Sequence, residues 1–212
     1  MQNNLSFIAK EGWKVLGYSI AIFIFFVLLH LNFLSYIAFA FILFFAFVYR
    51  NPERASSVDD ANGVVSPVDG KILSIEELHN DNEYTYKITI DSSYSDVSAL
   101  RSPISAVVED FEHIHGTKLG YGDKLYNALN ENLTFTLVSP NGMKMKLKHT
   151  LKESFDDVSI YIKKDDSLKI SARYGFMLSG ITTIYLPKTF HINVNVGSKL
   201  FASSSLLGSF KQ

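Results

Sequence analysis

The sequence predicts an N-terminal transmembrane α-hairpin followed by a mainly β domain, a compact barrel or two-sheet sandwich of short strands. Two observations carry this prediction. Residues 16–48 contain no Asp, Glu, Lys or Arg and are rich in Ile, Phe, Leu and Ala. Beyond Arg50 charged residues return, and short alternating apolar and polar runs separated by turn residues are typical of strands. We therefore expect a membrane hairpin over residues 1–50 and a cytoplasmic β-rich domain over residues 51–212.

The apolar segment is long enough for two helices. A spanning helix needs about 20 apolar residues, and the polar residues His30 and Asn32 interrupt the run near its middle. The sequence therefore predicts helices over residues 13–29 and 33–49. Two other arrangements stay open: one long tilted helix, and a hairpin that lies in one leaflet without crossing it.

Basic residues on both sides of this segment predict its orientation. Lys10 and Lys14 precede the apolar run, and Arg50 and Arg54 follow it. Because positively charged flanks favour the cytoplasmic side, both ends and the β domain are expected to face the cytoplasm at the cell (inner) membrane.

The clearest strand pair lies at residues 133–148. LTFTLV at 133–138 and MKMKLK at 143–148 flank the turn sequence SPNG. Asn-Gly favours the positive φ angles of a hairpin turn. The returning strand places Met, Met and Leu on one face and three lysines on the other, which predicts one buried and one wet face.

Composition excludes several classes of function. The net charge is −1 and no long Lys/Arg run occurs, so a nucleic-acid partner is not expected. There is no cysteine, which excludes disulfides and thiolate chemistry. His113, His115 and His149 suggest a zinc site, but alternation in a strand places two histidines on one face without any metal. Since no carboxylate lies at a recognisable offset, no metal ligand is predicted.

Several segments resemble one known family. Residues 49–54 read YRNPER, similar to the family's FRDPxR, and residues 64–72 read VVSPVDGKI, similar to VVSPADGKV. Residues 96–103 read DVSALRSP, similar to DVHxNRxP, and NEN at 130–132 is similar to NER. On these motifs the chain resembles the short, two-helix-anchored form of phosphatidylserine decarboxylase over nearly its whole length.

The resemblance implies a specific chemistry. Family members cut themselves at a Gly-Ser bond and leave an N-terminal pyruvoyl group, which serves as the electron sink for decarboxylation of a membrane phospholipid. An Asp and a His near the serine supply the base. The resemblance implies no external cofactor.

This chain departs from the family at those residues. Asp69 matches the family Asp, but Ser98 stands where the family has His, and a hydroxyl does not accept a proton at neutral pH as imidazole does. Near the family's processing site, Gly-Ser is replaced by Ser179-Gly180. We therefore expect a catalytically degenerate protein of phosphatidylethanolamine metabolism that binds a phospholipid headgroup, with a covalent pyruvoyl group only if the chain processes itself.

Two alternatives stay open. One is an active pyruvoyl-dependent decarboxylase that uses Ser179 or Ser209 as precursor, with His113 or His115 as substitute base. Leu207-Gly208 precedes Ser209, although cleavage there releases only the last four residues. The other is a membrane scaffold that binds another envelope protein. The sequence leaves protein partners and oligomeric state open.

Overall fold

The computed structural model describes residues 7–54, 62–79 and 83–211. The chain divides into two compact units, Met1–Glu53 and Arg54–Gln212. The helices are α1 (Gly12–Leu28), α2 (Asn32–Val48) and α3 (Tyr126–Leu129). The strands are β1 (Gly63–Val65), β2 (Gly70–Glu77), β3 (Tyr86–Ser92), β4 (Ala99–Arg101), β5 (Ala106–Ile114), β6 (Asn132–Val138), β7 (Lys144–Leu151), β8 (Ser159–Ile160), β9 (Ser167–Leu168), β10 (Arg173–Phe176), β11 (Gly180–Leu186), β12 (Phe190–Ile192), β13 (Lys199–Leu200) and β14 (Leu206–Phe210).

The first unit is a helical hairpin. His30, in the turn between α1 and α2, has a φ of +57°, a conformation that ends the first helix. At the other end of the hairpin, the Ala9 amide donates to the Tyr49 carbonyl at 2.8 Å. Gly12 lies against Tyr49, and a Cβ at Gly12 would be 2.5 Å from the Tyr49 Cβ. The close packing of the two helix ends therefore depends on a glycine at this position.

The predicted transmembrane hairpin is wrong. In the part of the chain that the structure describes, no helix is both long enough and apolar enough to cross a membrane. α1 and α2 have 17 residues each, and at 1.5 Å per residue such a helix is about 26 Å long, less than the ~30 Å hydrocarbon core. Residues 29–31 form the turn between the helices and therefore do not lengthen either helix.

The second unit is mainly β, and its described residues form three open sheets. The largest has the strand order β13-β2-β3-β11-β7-β6-β5-β9. The two smaller sheets have the orders β1-β14-β12 and β4-β10-β8. The predicted barrel is therefore wrong. The large sheet ends in β13 and β9, strands of two residues each that lie at opposite edges and are not paired with one another in the described chain.

The predicted hairpin at residues 133–148 is confirmed. β6 and β7 pair antiparallel in the register that places Leu137 opposite Met145 and Phe135 opposite Leu147. These four side chains are fully buried, whereas the lysines of β7 are partly exposed. Gly142 supplies the positive φ of the turn. The buried face contributes to the main apolar core of the β unit.

Candidate functional site

Asp69 lies in the turn between β1 and β2 and is 3% exposed. The next residue, Gly70, allows this turn to approach β3, because a Cβ there would be 2.3 Å from the Asp91 carbonyl oxygen. Ser92, at the end of β3, donates from Oγ to the Asp69 carbonyl at 2.6 Å. The sequence motif at residues 64–72 thus folds so that the Asp69 carboxylate is buried.

Four donors hold the Asp69 carboxylate. Arg54 donates from Nη1 to Oδ1 and from Nη2 to Oδ2, the second at 2.9 Å. The Ala202 amide donates to Oδ1 at 2.7 Å, and the Val97 amide approaches Oδ2 at 3.4 Å. A carboxylate paired bidentately with arginine is a strong acceptor of charge-assisted hydrogen bonds. Asp69 is therefore engaged as a structural anion.

Ser98 lies immediately before β4 and is 4% exposed. Its carbonyl accepts from the Met177 amide at 2.9 Å. Its Oγ has no hydrogen-bond partner among the described residues. Position 98 therefore carries a buried hydroxyl next to Val97, whose amide approaches the Asp69 carboxylate.

Ser179 directly precedes β11 and is also buried. Its Oγ is 3.5 Å from the Ser92 carbonyl oxygen, at the long limit of a hydrogen bond, and its own carbonyl accepts from the Lys152 amide at 3.1 Å. Since Ser92 also contacts Asp69, the structure brings Asp69, Ser98 and Ser179 into one neighbourhood. We call these three residues, with Ser92 and Arg54, the Asp69 cluster.

Gly180 follows Ser179 and is tightly enclosed. A Cβ at this position would be 2.6 Å from the Met177 sulfur and 2.6 Å from the Thr150 carbonyl oxygen. Any larger residue here requires the neighbouring strand or the Met177 side chain to move. The local packing is thus fitted to a glycine at position 180.

Ser209 and His113, which the alternative of an active decarboxylase names beside Ser179, lie elsewhere in the β unit. Ser209 is on β14, the central strand of its sheet, between Gly63 and His191. His113 is on β5, which β6 and β7 separate from β11. Three strand spacings correspond to roughly 14 Å. Neither Ser209 nor His113 has a hydrogen bond to a member of the Asp69 cluster in the described chain.

A second polar group involves the buried residue His149. Its Nδ1 lies 2.8 Å from Thr182 Oγ1, and its Nε2 lies 2.6 Å from the Tyr174 hydroxyl. Burial lowers the pKa of His149 to about 3 and raises the pKa of Tyr174 well above its usual value. His149 is therefore neutral at pH 7, and both of its ring nitrogens are already occupied.

Sequence reasoning missed three polar residues of this site. The sequence indicates Arg54 only as a flanking charge and as part of a motif, whereas the structure pairs it with Asp69. Ser92, which links the cluster, lies in no motif. Lys152 forms an ion pair with Asp91 beside the cluster. The alternation of β3 and the register of β11 could have indicated Ser92, since it pairs with Gly180.

Another group of residues could hold a metal ion. His113, His115 and Glu131 offer ligand atoms that all lie within 4.8 Å of one another. The structure separates His149 from this group, because its ring contacts Thr182 and Tyr174 instead. The carboxylate that the sequence did not reveal is Glu131, which lies 16 and 18 positions from the two histidines. Because Glu131 is so far from the histidines in the sequence, the sequence does not show that the three residues cluster.

Together, the fold and the site define a class: a mainly β domain that contains a buried carboxylate paired with arginine and three buried serines. Comparison with known proteins identifies the family. Residues 41–208 match the family model described as phosphatidylserine decarboxylase. The chain belongs to the phosphatidylserine decarboxylase family, which functions in phospholipid metabolism and acts on a membrane phospholipid.

Individual relatives match over almost their full length. A phosphatidylserine decarboxylase proenzyme of Geotalea uraniireducens is 31% identical over 212 residues, covering 98% of this chain and 99% of the relative. The proenzyme of Citrifermentans bemidjiense is 32% identical with the same coverage. That of Burkholderia mallei is 28% identical, covering 97% of this chain and 96% of the relative. The resemblance seen in the sequence motifs is thus confirmed at the level of the family.

Proposed function

We propose that this protein binds membrane phospholipid headgroups and neither cleaves itself nor decarboxylates its lipid. The observation that carries the proposal is the chemistry of the Asp69 cluster. Its members are a carboxylate paired with arginine and three serine hydroxyls. None of these is an imidazole, the side chain that the family places here as a base.

Self-cleavage requires a base beside the attacking hydroxyl. A serine oxygen is a weak nucleophile until a neighbouring group removes its proton. Ser98 has a hydroxyl where the family has an imidazole, and Asp69 is occupied by Arg54 and two backbone amides. The nearby His149 is not available, since Thr182 and Tyr174 hold both of its ring nitrogens. The proton therefore has no acceptor in the cluster.

The processing position itself supports the proposal. Near the family's processing site, Ser179-Gly180 replaces Gly-Ser, and Leu178 rather than glycine precedes the serine. The strained acyl shift at Ser179 would therefore have to accommodate a side chain that the family lacks at this point. We do not expect a pyruvoyl group to form there.

The helical hairpin supports attachment to a membrane. Large apolar side chains on both helices are exposed, among them Trp13, Phe25, Leu28, Phe33 and Phe41. An apolar surface of this extent is a membrane or protein interaction site in a stable protein. We assign it to one leaflet of the cell membrane on its cytoplasmic side, because Lys10, Lys14 and Arg50 lie at the open end of the hairpin.

One cation near the Asp69 cluster is suited to a headgroup phosphate. The Lys199 side chain is 65% exposed, and its Nζ is 3.9 Å from Asp96 Oδ1, a weak pairing. Lys199 Nζ also lies 5.8 Å from the centroid of the Phe201 ring. An exposed ammonium next to an aromatic ring fits the boundary between lipid and water, where a phosphate would compete with Asp96.

Vesicle flotation with the full chain tests the lipid-binding half of the proposal. We expect the protein to float with phosphatidylcholine vesicles containing phosphatidylserine more than with vesicles containing the same fraction of phosphatidylglycerol, which matches the charge. Lys199→Ala should reduce the difference between the two vesicles, and Lys188→Ala, an exposed lysine elsewhere in the β unit, should leave it unchanged. Equal binding to both vesicles would overturn headgroup recognition, and binding to neither would overturn membrane attachment.

Carbon dioxide release tests the other half. The full chain, incubated with vesicles of carboxyl-labelled phosphatidylserine, should release no more label than vesicles alone, whereas the Geotalea proenzyme serves as the positive control. Enzyme-dependent release would support the active decarboxylase instead. Membrane binding that requires a second purified envelope protein, with no lipid preference, would support the scaffold.

A further inference from the structure

The two histidines at the end of β5 and the glutamate before β6 converge. His113 Nε2 lies 2.9 Å from Glu131 Oε1, and His115 Nδ1 lies 3.7 Å from the same oxygen. The centroids of the two imidazole rings are 4.3 Å apart. Three ligand atoms that Zn²⁺ prefers thus face a common point.

Backbone pairing holds this arrangement in place. The Thr117 amide donates to the Leu129 carbonyl at 2.8 Å, and the Glu131 amide donates to the Thr117 carbonyl at 2.9 Å. Gly116 permits this close approach, because a Cβ there would be 2.2 Å from the Leu129 carbonyl oxygen. The segment that carries Glu131 is therefore fixed against the segment that follows the two histidines.

The side chain of Asn130 adds a second restraint. It accepts from the Leu119 amide at 2.9 Å and donates to the Leu151 carbonyl at 2.8 Å. The neighbouring Glu131 side chain is only 2% exposed. A buried carboxylate is costly unless a positive or donating group faces it, and the two imidazoles are its ion-pairing partners in the described chain.

The group is open to solvent on one side. The His115 side chain is 79% exposed, so an ion can enter next to it and keep a water ligand. A neighbouring pair of charges compensates itself: Lys118 Nζ is 2.5 Å from Asp157 Oδ1. The hydrogen bond from Lys118 lowers the pKa of Asp157, and the neighbouring His115 and His113 lower it further. The Lys118–Asp157 pair therefore does not serve Glu131, whose ion-pairing partners are the two histidines.

We propose that His113, His115 and Glu131 form a binding site for a divalent first-row metal ion of the Zn²⁺ type. Two imidazoles and one carboxylate, with a water in the fourth position, are a donor set that Zn²⁺ takes in tetrahedral geometry. Bonds of about 2.0–2.2 Å require the ligand atoms to lie ~3.4 Å apart. The ligand atoms lie within 4.8 Å of one another, and we expect the exposed His115 ring to turn toward the bound ion. This site is separate from the Asp69 cluster and does not depend on the proposed function.

Metal titration of the chelator-treated full chain tests the proposal. Co²⁺ should bind with one ion per chain and give the intense visible absorption of a tetrahedral site, and Zn²⁺ should displace it. His115→Ala removes an exposed ligand and should weaken binding at least tenfold. His191→Ala, an exposed histidine on β12, is the matched control and should bind as the unchanged chain does.

A variant of the buried ligand separates metal binding from folding. Glu131→Gln keeps the size of the side chain and should also weaken Co²⁺ binding at least tenfold, while circular dichroism verifies that it folds. Binding at less than one ion per chain would overturn the proposal. Equal affinities for His115→Ala and His191→Ala would overturn it as well.

Discussion

The Asp69 cluster and the group of His113, His115 and Glu131 both contain a buried carboxylate, but their partners differ. Asp69 faces a guanidinium and two backbone amides, all permanent donors. Glu131 faces two imidazoles, one of which is exposed. Arginine keeps its charge and its proton at every physiological pH, whereas imidazole releases a proton and binds metals.

This difference distinguishes a carboxylate held in place by permanent donors from the group that we propose binds a metal ion. The Asp69 carboxylate is held by Arg54 and backbone amides, and the other members of its cluster are serines. Three histidines of the β unit lie outside this cluster: His149 in its buried network, and His113 and His115 at the open end of β5. Fold follows the strand pattern, whereas function follows the particular side chains of a site.

Removal of Arg54 should have the largest effect, if Asp69 is a structural anion. Arg54→Ala leaves a buried carboxylate without its cation, and breaking such a pair costs about 3–5 kcal/mol of unfolding free energy. The measurement is urea denaturation of the full chain. Lys144→Ala is the matched control: its pair with Glu109 is exposed on both sides and screened by solvent, so the loss should be much smaller. Equal losses for the two variants would contradict the structural role.

The buried His149 should make stability depend on pH. Its pKa is about 3 in the folded chain and 6.5 in the unfolded chain, so below pH 6.5 the unfolded state binds the proton and the folded state does not. The stability contributed by neutral His149 is present above pH 6.5 and is lost as pH falls. Between pH 7.5 and 5 the unfolding free energy should fall by about 2 kcal/mol.

Variants assign this pH dependence to one residue. His149→Gln should flatten the curve between pH 7.5 and 5, whatever its effect on absolute stability, and His191→Ala should leave the slope unchanged. If the unfolding free energy of His149→Gln still depends on pH in this range, another group is responsible. The contrast between the buried neutral His149 and the partly exposed His113 and His115 would then not hold.

Ser98 should give the smallest effect. Because its Oγ has no partner among the described residues, Ser98→Ala removes no hydrogen bond and should leave the unfolding free energy unchanged or raise it by up to ~1 kcal/mol. Ser102→Ala is the control: that buried Oγ donates to the Ile104 carbonyl at 2.7 Å, and its loss should cost about 1 kcal/mol. A larger loss for Ser98→Ala than for Ser102→Ala would show that the Ser98 hydroxyl is engaged.

Local pattern predicted the local structure well. Alternation and Asn141-Gly142 predicted the β6–β7 hairpin, and the apolar run placed two helices within one residue of their observed bounds. The prediction that the helices span the membrane is wrong because each helix is too short. The length of the whole apolar segment does not show how many of its residues belong to the turn. Closure of the sheet also failed, since the two-residue edge strands show no clear pattern in the sequence.

Long-range contacts could not be read from the sequence. The motif at residues 64–72 identified Asp69, but its partner Arg54 lies 15 positions away and its donor Ala202 lies 133 positions away. Glu131 approaches the histidines only because Gly116 lets two backbone segments pair closely. Such contacts depend on sheet register and backbone packing, which a single sequence leaves undetermined.

The intact mass of the purified full chain tests the central claim, that the Asp69 cluster does not process the chain. We expect one species at the full-length mass of 23.9 kDa, both before and after incubation with phosphatidylserine vesicles. A fragment that begins at position 179 or 209 with a pyruvoyl-blocked N-terminus would contradict the account and show that the protein is an active decarboxylase.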